Sequence, residues 1–392
     1  MPIQLRHHAS RHAEPADHRL LQRAVLRPRV PVPVLQLPWR FGNHDSSQSP
    51  VLPLVHAGRP RKLLALQRRA ERRAALILVT GAAGFAGSHL VDLLSRGGAD
   101  VVGWHRPDRV PPPSRTSIRW LAVDITDRRT VSTAIAAEPP LAVYHCAGAA
   151  HVGRAWRDAE PTFAINVRGT HFLFEALRRI GARIPVLIPS SAMIYKPADR
   201  PLAEDDELLP GSPYGLSKLA QEMLGTRAIG DRIDVRIARA FNHIGPRQDP
   251  SFVASDFARQ IVDIEGGRRT PEIVVGNLDA RRELTDVRDT VRGYRDVLDR
   301  GRTGRPYNVC SGDAVSIREL LDRLVARARV PVRVRIDQAR FRPNDTPLVA
   351  GDPRRIQNEL GWRPTIALER TLDDVLEYWR LRTQNAELST EN

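Results

Sequence analysis

Tyr214 and Lys218 stand four positions apart in Ser212-Pro213-Tyr214-Gly215-Leu216-Ser217-Lys218, and Lys218 is one of only three lysines among the sixty basic residues of the chain. On a helix that spacing places a phenol and an ammonium on one face, where the cation favours the phenolate. An unperturbed phenol titrates at about 10 and exchanges protons poorly near neutrality, so lowering that value would make Tyr214 a general acid-base group. A solvated helix face is the alternative, and the surrounding elements must decide between the two.

Upstream, the apolar run Ala75-Leu76-Ile77-Leu78-Val79-Thr80 reads as a buried strand, Gly81-Ala82-Ala83-Gly84-Phe85-Ala86-Gly87 as a tight turn, and Ser88 to Leu94 as a helix. Strand, glycine turn and helix in that order form a dinucleotide-binding corner. Glycines let the backbone approach a pyrophosphate, and the helix N-terminus supplies N–H groups and the positive end of its dipole. The expected contacts are Gly81, Ala83, Gly84, Phe85 and Gly87. Between this corner and Tyr214, the strand Val186-Leu187-Ile188-Pro189-Ser190-Ser191-Ala192-Met193-Ile194-Tyr195 delivers two serines to its carboxyl end, where ligands collect in parallel sheets. For Ser190 the simplest role is a strand-end hydrogen bond to backbone.

Asp100-Val101-Val102-Gly103-Trp104-His105-Arg106 reads as the second strand. An acidic residue at its end would bind the ribose hydroxyls of NAD and repel the extra phosphate of NADP, whereas an arginine accommodates that phosphate. His105 takes the carboxylate position and Arg106 follows it. A planar guanidinium there can fork onto a 2′-phosphate, so NADP(H) is preferred over NAD(H), with Arg109 a weaker candidate for the same job.

Glycine loop, strand-end serine and Tyr-x-x-x-Lys together resemble the extended short-chain dehydrogenase/reductases, the NAD-dependent epimerase/dehydratase family of nucleotide-sugar enzymes. The resemblance runs from about residue 75 to about 380. It implies that Ser191, Tyr214 and Lys218 are the catalytic trio, Ser191 being preferred because the family's hydroxyl lies four residues before the tyrosine that closes the strand, here Tyr195. It also implies that Asp124, with Ile125, ends the third strand near the adenine, and that Ala147 and Gly148 let the backbone pass the cofactor after the fourth. Asn166 opens the next helix, Lys218 binds the nicotinamide ribose, and His243 lies near the nicotinamide half.

The downstream half, with Arg239-Ala240-Phe241-Asn242-His243-Ile244-Gly245-Pro246, Gly276-Asn277-Leu278-Asp279 and Pro306-Tyr307-Asn308-Val309, looks like the GDP-mannose dehydratase and GDP-4-dehydro-6-deoxymannose reductase branch. That implies a GDP-sugar substrate, with Arg282 and Arg342 on its diphosphate, Asn242 and Ser191 on the substrate. Glu283-Leu284 where Asp-Phe is usual, and Ala240 where proline is common, depart from the pattern. In the dehydratases a glutamate stands two residues after the catalytic hydroxyl. Here that residue is Met193, which cannot move a proton. The acidic run Glu204-Asp205-Asp206-Glu207 reads as a solvated loop, not a substitute. The resemblance therefore implies reduction of the C4 ketone of GDP-4-dehydro-6-deoxy-D-mannose to GDP-D-rhamnose. A 4-epimerase or 4,6-dehydratase of the same family is the alternative; from another class, a non-catalytic dinucleotide-sensing or nucleic-acid-binding relative would be expected to have lost the tyrosine or lysine.

These elements predict an α/β protein with a doubly wound parallel (Rossmann) sheet and a smaller C-terminal substrate lobe. Residues 75–240 and about 282–311 are expected to form the NADP-binding domain, 241–281 and 312–380 the lobe, and 381–392 a tail. In the lobe, Ile317, Leu320, Leu321 and Leu324 form a one-sided stripe on a helix expected over 317–327. Hydrophobic residues make up 42% of the 392, and no apolar run reaches bilayer-spanning length. The two cysteines, Cys146 and Cys310, fall in segments that read as buried strands without zinc-type spacing, so neither a metal site nor a disulfide is expected, and a reducing cytoplasm suits them. The net charge is +15, but residues 1–75 alone carry fourteen basic and four acidic residues, nine prolines and six of the twelve histidines. The remainder is too weakly basic for nucleic-acid binding by the folded body. Residues 1–74 are expected to be disordered, with a basic helical lead-in conceivable over 61–74. An organellar transit peptide, an arm for anionic partners and a start site assigned too early all fit that composition, the last best. No membrane association is expected, and the resemblance implies a homodimer or homotetramer.

Overall fold

The computed structural model describes residues 76–111, 118–341 and 346–390. The expectations for residues 1–74 and for Arg342 lie outside them.

Strand β1 (Leu76–Thr80) is buried along almost its whole length, as a central parallel strand covered on both faces must be. Helix α1 (Phe85–Arg96) follows the glycine turn, beginning three residues before the predicted start. Then come β2 (Asp100–His105), β3 (Arg119–Ala122), α2 (Arg128–Ala137) and β4 (Ala142–His145). Two short helices, α3 (Val152–Arg157) and α4 (Glu160–Phe163), lead through a π-helical segment, Ala164–Gly169, into α5 (Thr170–Arg178). Strand β5 (Ile184–Ser191) and a 3-10 turn at Ala192–Ile194 precede α6 (Pro213–Ala228), then β6 (Ile233–Ala240). Proline at the first position of α6 costs no hydrogen bond, and the N-cap Ser212 accepts from the Gly215 amide at 3.1 Å.

Beyond β6 run β7 (His243–Ile244), α7 (Val253–Glu265), β8 (Glu272–Val275), β9 (Arg281–Glu283), β10 (Thr285–Asp286), α8 (Val287–Arg300) and β11 (Pro306–Val309). The chain continues with β12 (Ala314–Ser316), α9 (Ile317–Val325), β13 (Arg333–Ile336), β14 (Leu348–Val349), α10 (Arg354–Leu360) and α11 (Leu368–Thr390). Helix α11 carries on through residues expected to form a tail after 380.

Seven strands form one sheet in the order β11-β6-β5-β4-β1-β2-β3, with every pairing parallel. The chain starts in the middle, winds out through β2 and β3, and returns on the other side of β1 to lay down β4. The topological switch therefore falls between β1 and β4, where Thr80 is in register with His145, and it opens a crevice at their carboxyl ends. Helices α2 and α5 pack together on one face, α1 and α8 on the other, each burying its own apolar layer. A third core, from α7, α9, α11 and β8, makes the smaller lobe and takes in the predicted stripe Ile317, Leu320, Leu321 and Leu324. Among the described residues no helix is long and apolar enough to cross a membrane.

Candidate active site

Strand β5 ends on Ser190 and Ser191, both buried. The 3-10 turn that follows aims the Met193 amide back at Ser191, whose Oγ accepts from it at 3.2 Å. Helix α6 places Tyr214 against this strand end. A hydrogen bond with Ser191 pulls the phenol's pKa down, but burial outweighs it and the net shift is upward. Lys218 lies one turn further along, also buried, and donates to the Pro189 carbonyl and the Gln221 side chain. Burial lowers its pKa to about 8, against the opposing pull of Cys146 and Glu222.

This arrangement corrects one expectation. Residues four apart do share a helix face, but the Lys218 ammonium is engaged by two acceptors, and the influences on the Tyr214 phenol are burial and Ser191. A buried ammonium takes the acceptors within reach, here the Pro189 carbonyl of β5 and the Gln221 side chain.

Behind the lysine runs a network whose proton positions follow from its donors. Gln221 Nε2 donates to Thr170 Oγ1 at 2.8 Å, and Thr170 donates to the Asn166 carbonyl at 2.6 Å. Since Thr170 has spent its one proton, His145 Nε2, 2.8 Å away, must donate to it. His145 Nδ1 then accepts from Thr80 at 2.8 Å, and Thr80 accepts from the Ala147 amide at 3.1 Å. Burial, aided by the Lys218 charge, holds the imidazole neutral, with its pKa near 3. Lys218 and the crevice beside β4 are thereby joined through one hydrogen-bonded set of buried groups.

Asn166 is buried inside the π-helical segment; it does not open a helix. Its amide accepts from Ala149 N at 2.8 Å and donates to Ser217 Oγ at 2.9 Å, tying the loop after β4 to α6. Ser190 donates to the Glu222 carboxylate at 2.7 Å, so its partner is a side chain and not the backbone. Glu222 in turn forms a buried ion pair with Arg239, which also reaches Tyr195 Oη at 2.9 Å and the Glu204 carbonyl at 2.8 Å. Glu204 departs from the solvated-loop reading: it is buried and accepts from the Asn308 amide at 2.8 Å, while Asp205 and Glu207 are exposed and paired with Arg355 and Lys196.

The glycine corner fits a dinucleotide. Gly81 has φ +64°, and a Cβ there would sit 2.6 Å from Ala147 N. A Cβ on Gly87 would fall 2.2 Å from the Gly81 carbonyl. The N-cap Gly84 offers no side-chain acceptor, and the first turn of α1 holds no acidic residue, which leaves its N–H groups open to an anion. Phe85 stacks on His243, 5.6 Å between ring centroids, which sets β7 beside the glycine turn. His243 Nδ1 lies 3.0 Å from the Phe241 carbonyl, and burial lowers its pKa. Ala147 and Gly148 follow β4 along the crevice; Asp124 and Ile125 lie just past β3, where Asp124 is exposed and accepts from Thr126.

At the end of β2, His105 Nδ1 donates to the Arg106 carbonyl at 2.9 Å, and Arg106 pairs through two nitrogens with Asp108. This carboxylate, two residues beyond the candidate phosphate ligand, escaped notice in the sequence. Across the cleft, Asn242 is half-buried with its carbonyl bonded to Thr285 N at 3.0 Å. Arg282, on β9, donates to the Arg281 carbonyl at 2.9 Å. Glu283 beside it is fully buried, accepts from the amides of Ser311 and Gly351, and has its pKa pushed up by burial to about 7. A hollow of about 380 Å³, lined by Arg183, Ile229, Gly230, Arg232 and Ile233, lies at the amino ends of β5 and β6, remote from the serines.

Residues 78–375 match the family model for GDP-mannose 4,6 dehydratase. The chain belongs to that family. Among relatives of this GDP-mannose 4,6-dehydratase family, GDP-6-deoxy-D-mannose reductase of Pseudomonas aeruginosa is 35% identical over 79% of this chain and 98% of its own length. dTDP-glucose 4,6-dehydratase of Streptomyces griseus is 32% identical over 74% and 90%. The solved structure of RMD from Pseudomonas aeruginosa complexed with NADPH superposes with a TM-score of 0.68 at 33% identity, covering 79% of this chain and all of that one. MoeE5 in complex with UDP-glucose and NAD gives 0.69 at 30% identity over 79% and 99%.

Several residues of the site went unrecognised in the sequence: Gln221, Glu222, Arg239, Thr170 and His145. For Glu222 the signal was there, since it continues the four-residue spacing of Tyr214 and Lys218 along the same helix face. Gln221 likewise stands three positions after Lys218 on that helix, whereas no sequence spacing links Arg239, Thr170 and His145, on β6, α5 and β4, to it.

Proposed function

We propose that this protein reduces the C4 ketone of a nucleotide-linked 4-keto-6-deoxy sugar with NADPH, turning GDP-4-dehydro-6-deoxy-D-mannose into GDP-D-rhamnose. It is an NAD(P)-dependent nucleotide-sugar oxidoreductase. The carrying observation is Met193 beside a hydrogen-bonded Ser191 and Tyr214: the site has a hydroxyl, a phenol and an ammonium, but no carboxylate where a dehydratase would need one to work on C5 and C6.

The bound nicotinamide supplies the hydride. The turn Gly81, Ala83, Gly84, Phe85 and Gly87 holds the pyrophosphate, Asp124, Ile125, Ala147 and Gly148 flank the cofactor, and Asn166 and His243 fix the walls around it. Tyr214 gives its proton to the oxygen forming at C4. Ser191 bonds the same oxygen, and Lys218 holds the nicotinamide ribose from its buried seat. Asn242 meets the sugar and Arg282 the diphosphate. Preference for NADP(H) rests on His105 and Arg106 standing where NAD enzymes carry an acid, with Asp108 as the group a 2′-phosphate must displace. The reading includes a cytoplasmic homodimer or homotetramer.

Supplying GDP-4-dehydro-6-deoxy-D-mannose with NADPH or NADH and identifying the product tests this directly. Cofactor oxidation with formation of GDP-D-rhamnose is expected. Consumption of GDP-mannose without net cofactor oxidation would overturn the reductase reading.

A further inference from the structure

We infer that the apolar cleft beyond Ser191 seats the C6 methyl of the sugar, and that Met193 is the residue by which the site selects 6-deoxy over 6-hydroxy sugars. This deepens the reductase reading and rests on it.

The cleft measures about 210 Å³, and its wall includes Val152, Trp156, Ala192, Met193, Leu348 and Val349. Of the side-chain hydroxyls on that wall, that of Tyr195 is committed to Arg239 and Asn308, and that of Ser212 accepts from the Gly215 amide at the head of α6. Thr346 is the remaining one. Trp156, on α3, keeps 53% of its surface exposed, which is unusual for an indole unless something apolar comes to lie against it.

Position follows from covalent geometry. Met193 N lies 3.2 Å from Ser191 Oγ, the group that would hold the oxygen on C4. In a hexopyranose C6 is two bonds from C4, so a sugar whose C4 oxygen rests on Ser191 carries its C6 substituent within reach of the Met193 side chain. A methyl there meets thioether and aliphatic carbon. A hydroxymethyl would set its hydroxyl against the Met193 thioether, a weak acceptor with no proton to donate, and an added hydroxyl in an apolar pocket costs roughly up to a hundredfold in affinity. Met193 thus has a positive role besides the lack of a carboxylate: it supplies the surface that a 6-deoxy sugar fits.

GDP-D-rhamnose and GDP-mannose differ only in the C6 hydroxyl, so titrating each into the full-length protein saturated with NADPH, where neither can be oxidised, isolates that position. The wild type is expected to bind GDP-D-rhamnose about tenfold or more tightly than GDP-mannose. Met193→Gln should shrink that ratio to about threefold or less, Met193→Leu should preserve it, and neither should move the affinity for GDP alone by more than about twofold. Equal affinities in the wild type, or an unchanged ratio in Met193→Gln, would overturn the inference. So would a loss of GDP affinity as large as the loss for the sugar, which would put the nucleotide in the cleft. If neither GDP-sugar binds, the UDP and dTDP pairs are titrated, and no discrimination in any series overturns it. A discriminating cleft in a protein that leaves NADPH unoxidised with the keto sugar would sink the reductase reading and leave this assignment standing.

Discussion

Ser190 Oγ donates to the Glu222 carboxylate across 2.7 Å, and the same carboxylate holds the buried guanidinium of Arg239. The strand that carries Ser191 and the helix that carries Tyr214 are therefore joined one layer behind the chemistry. A charge pair this deeply buried, with side chains 5% and 8% exposed, gains little over an apolar pair of equal volume, but losing one partner strands the other. Glu222→Gln should cost about 3–5 kcal/mol of unfolding free energy, read as a lower denaturant midpoint, whereas Ser190→Ala should cost about 1 kcal/mol. Equal, small losses would show that Arg239 finds another counter-charge.

Removing the phenol should separate chemistry from binding. Tyr214→Phe takes away the proton donor and keeps the ring, so turnover should fall by about two to four orders of magnitude while cofactor affinity, followed by nicotinamide fluorescence, changes little. Near-normal rates would remove Tyr214 from its proposed role.

Arg106 and Asp108 set up a competition at the end of β2. Asp108 forks onto the guanidinium that a 2′-phosphate would need. Asp108→Asn should raise the ratio of kcat/KM for NADPH over NADH by about tenfold, and Arg106→Ala should lower it below the wild-type ratio by at least as much. A ratio indifferent to both substitutions would move cofactor choice elsewhere.

Glu283 makes stability depend on pH. Burial raises its folded pKa to about 7, above that of an unfolded glutamate, so its contribution is fully present below about pH 4.5 and is lost as pH rises through 7. Glu283→Gln should flatten that part of the pH–stability curve, the wild-type-minus-variant difference changing by up to about 3 kcal/mol between pH 4.5 and 7.5. A parallel pair of curves would mean that the amides of Ser311 and Gly351 hold the carboxylate ionised throughout.

Short-range pattern determined much of this protein. The apolar run at Leu76–Thr80, the glycines after it and the strand-end serines follow from local sterics and hydrophobic periodicity, which act over a few residues and are written in residue types. The parallel sheet and the one-sided stripe on α9 follow for the same reason. Tertiary structure decided where the charges went. Lys218 turns to Pro189, Glu204 into the interior and Ser190 to Glu222. A buried ionised or polar group takes whatever complementary group the fold brings within about 3 Å, often from an element far away in sequence, and no spacing along the chain encodes that choice.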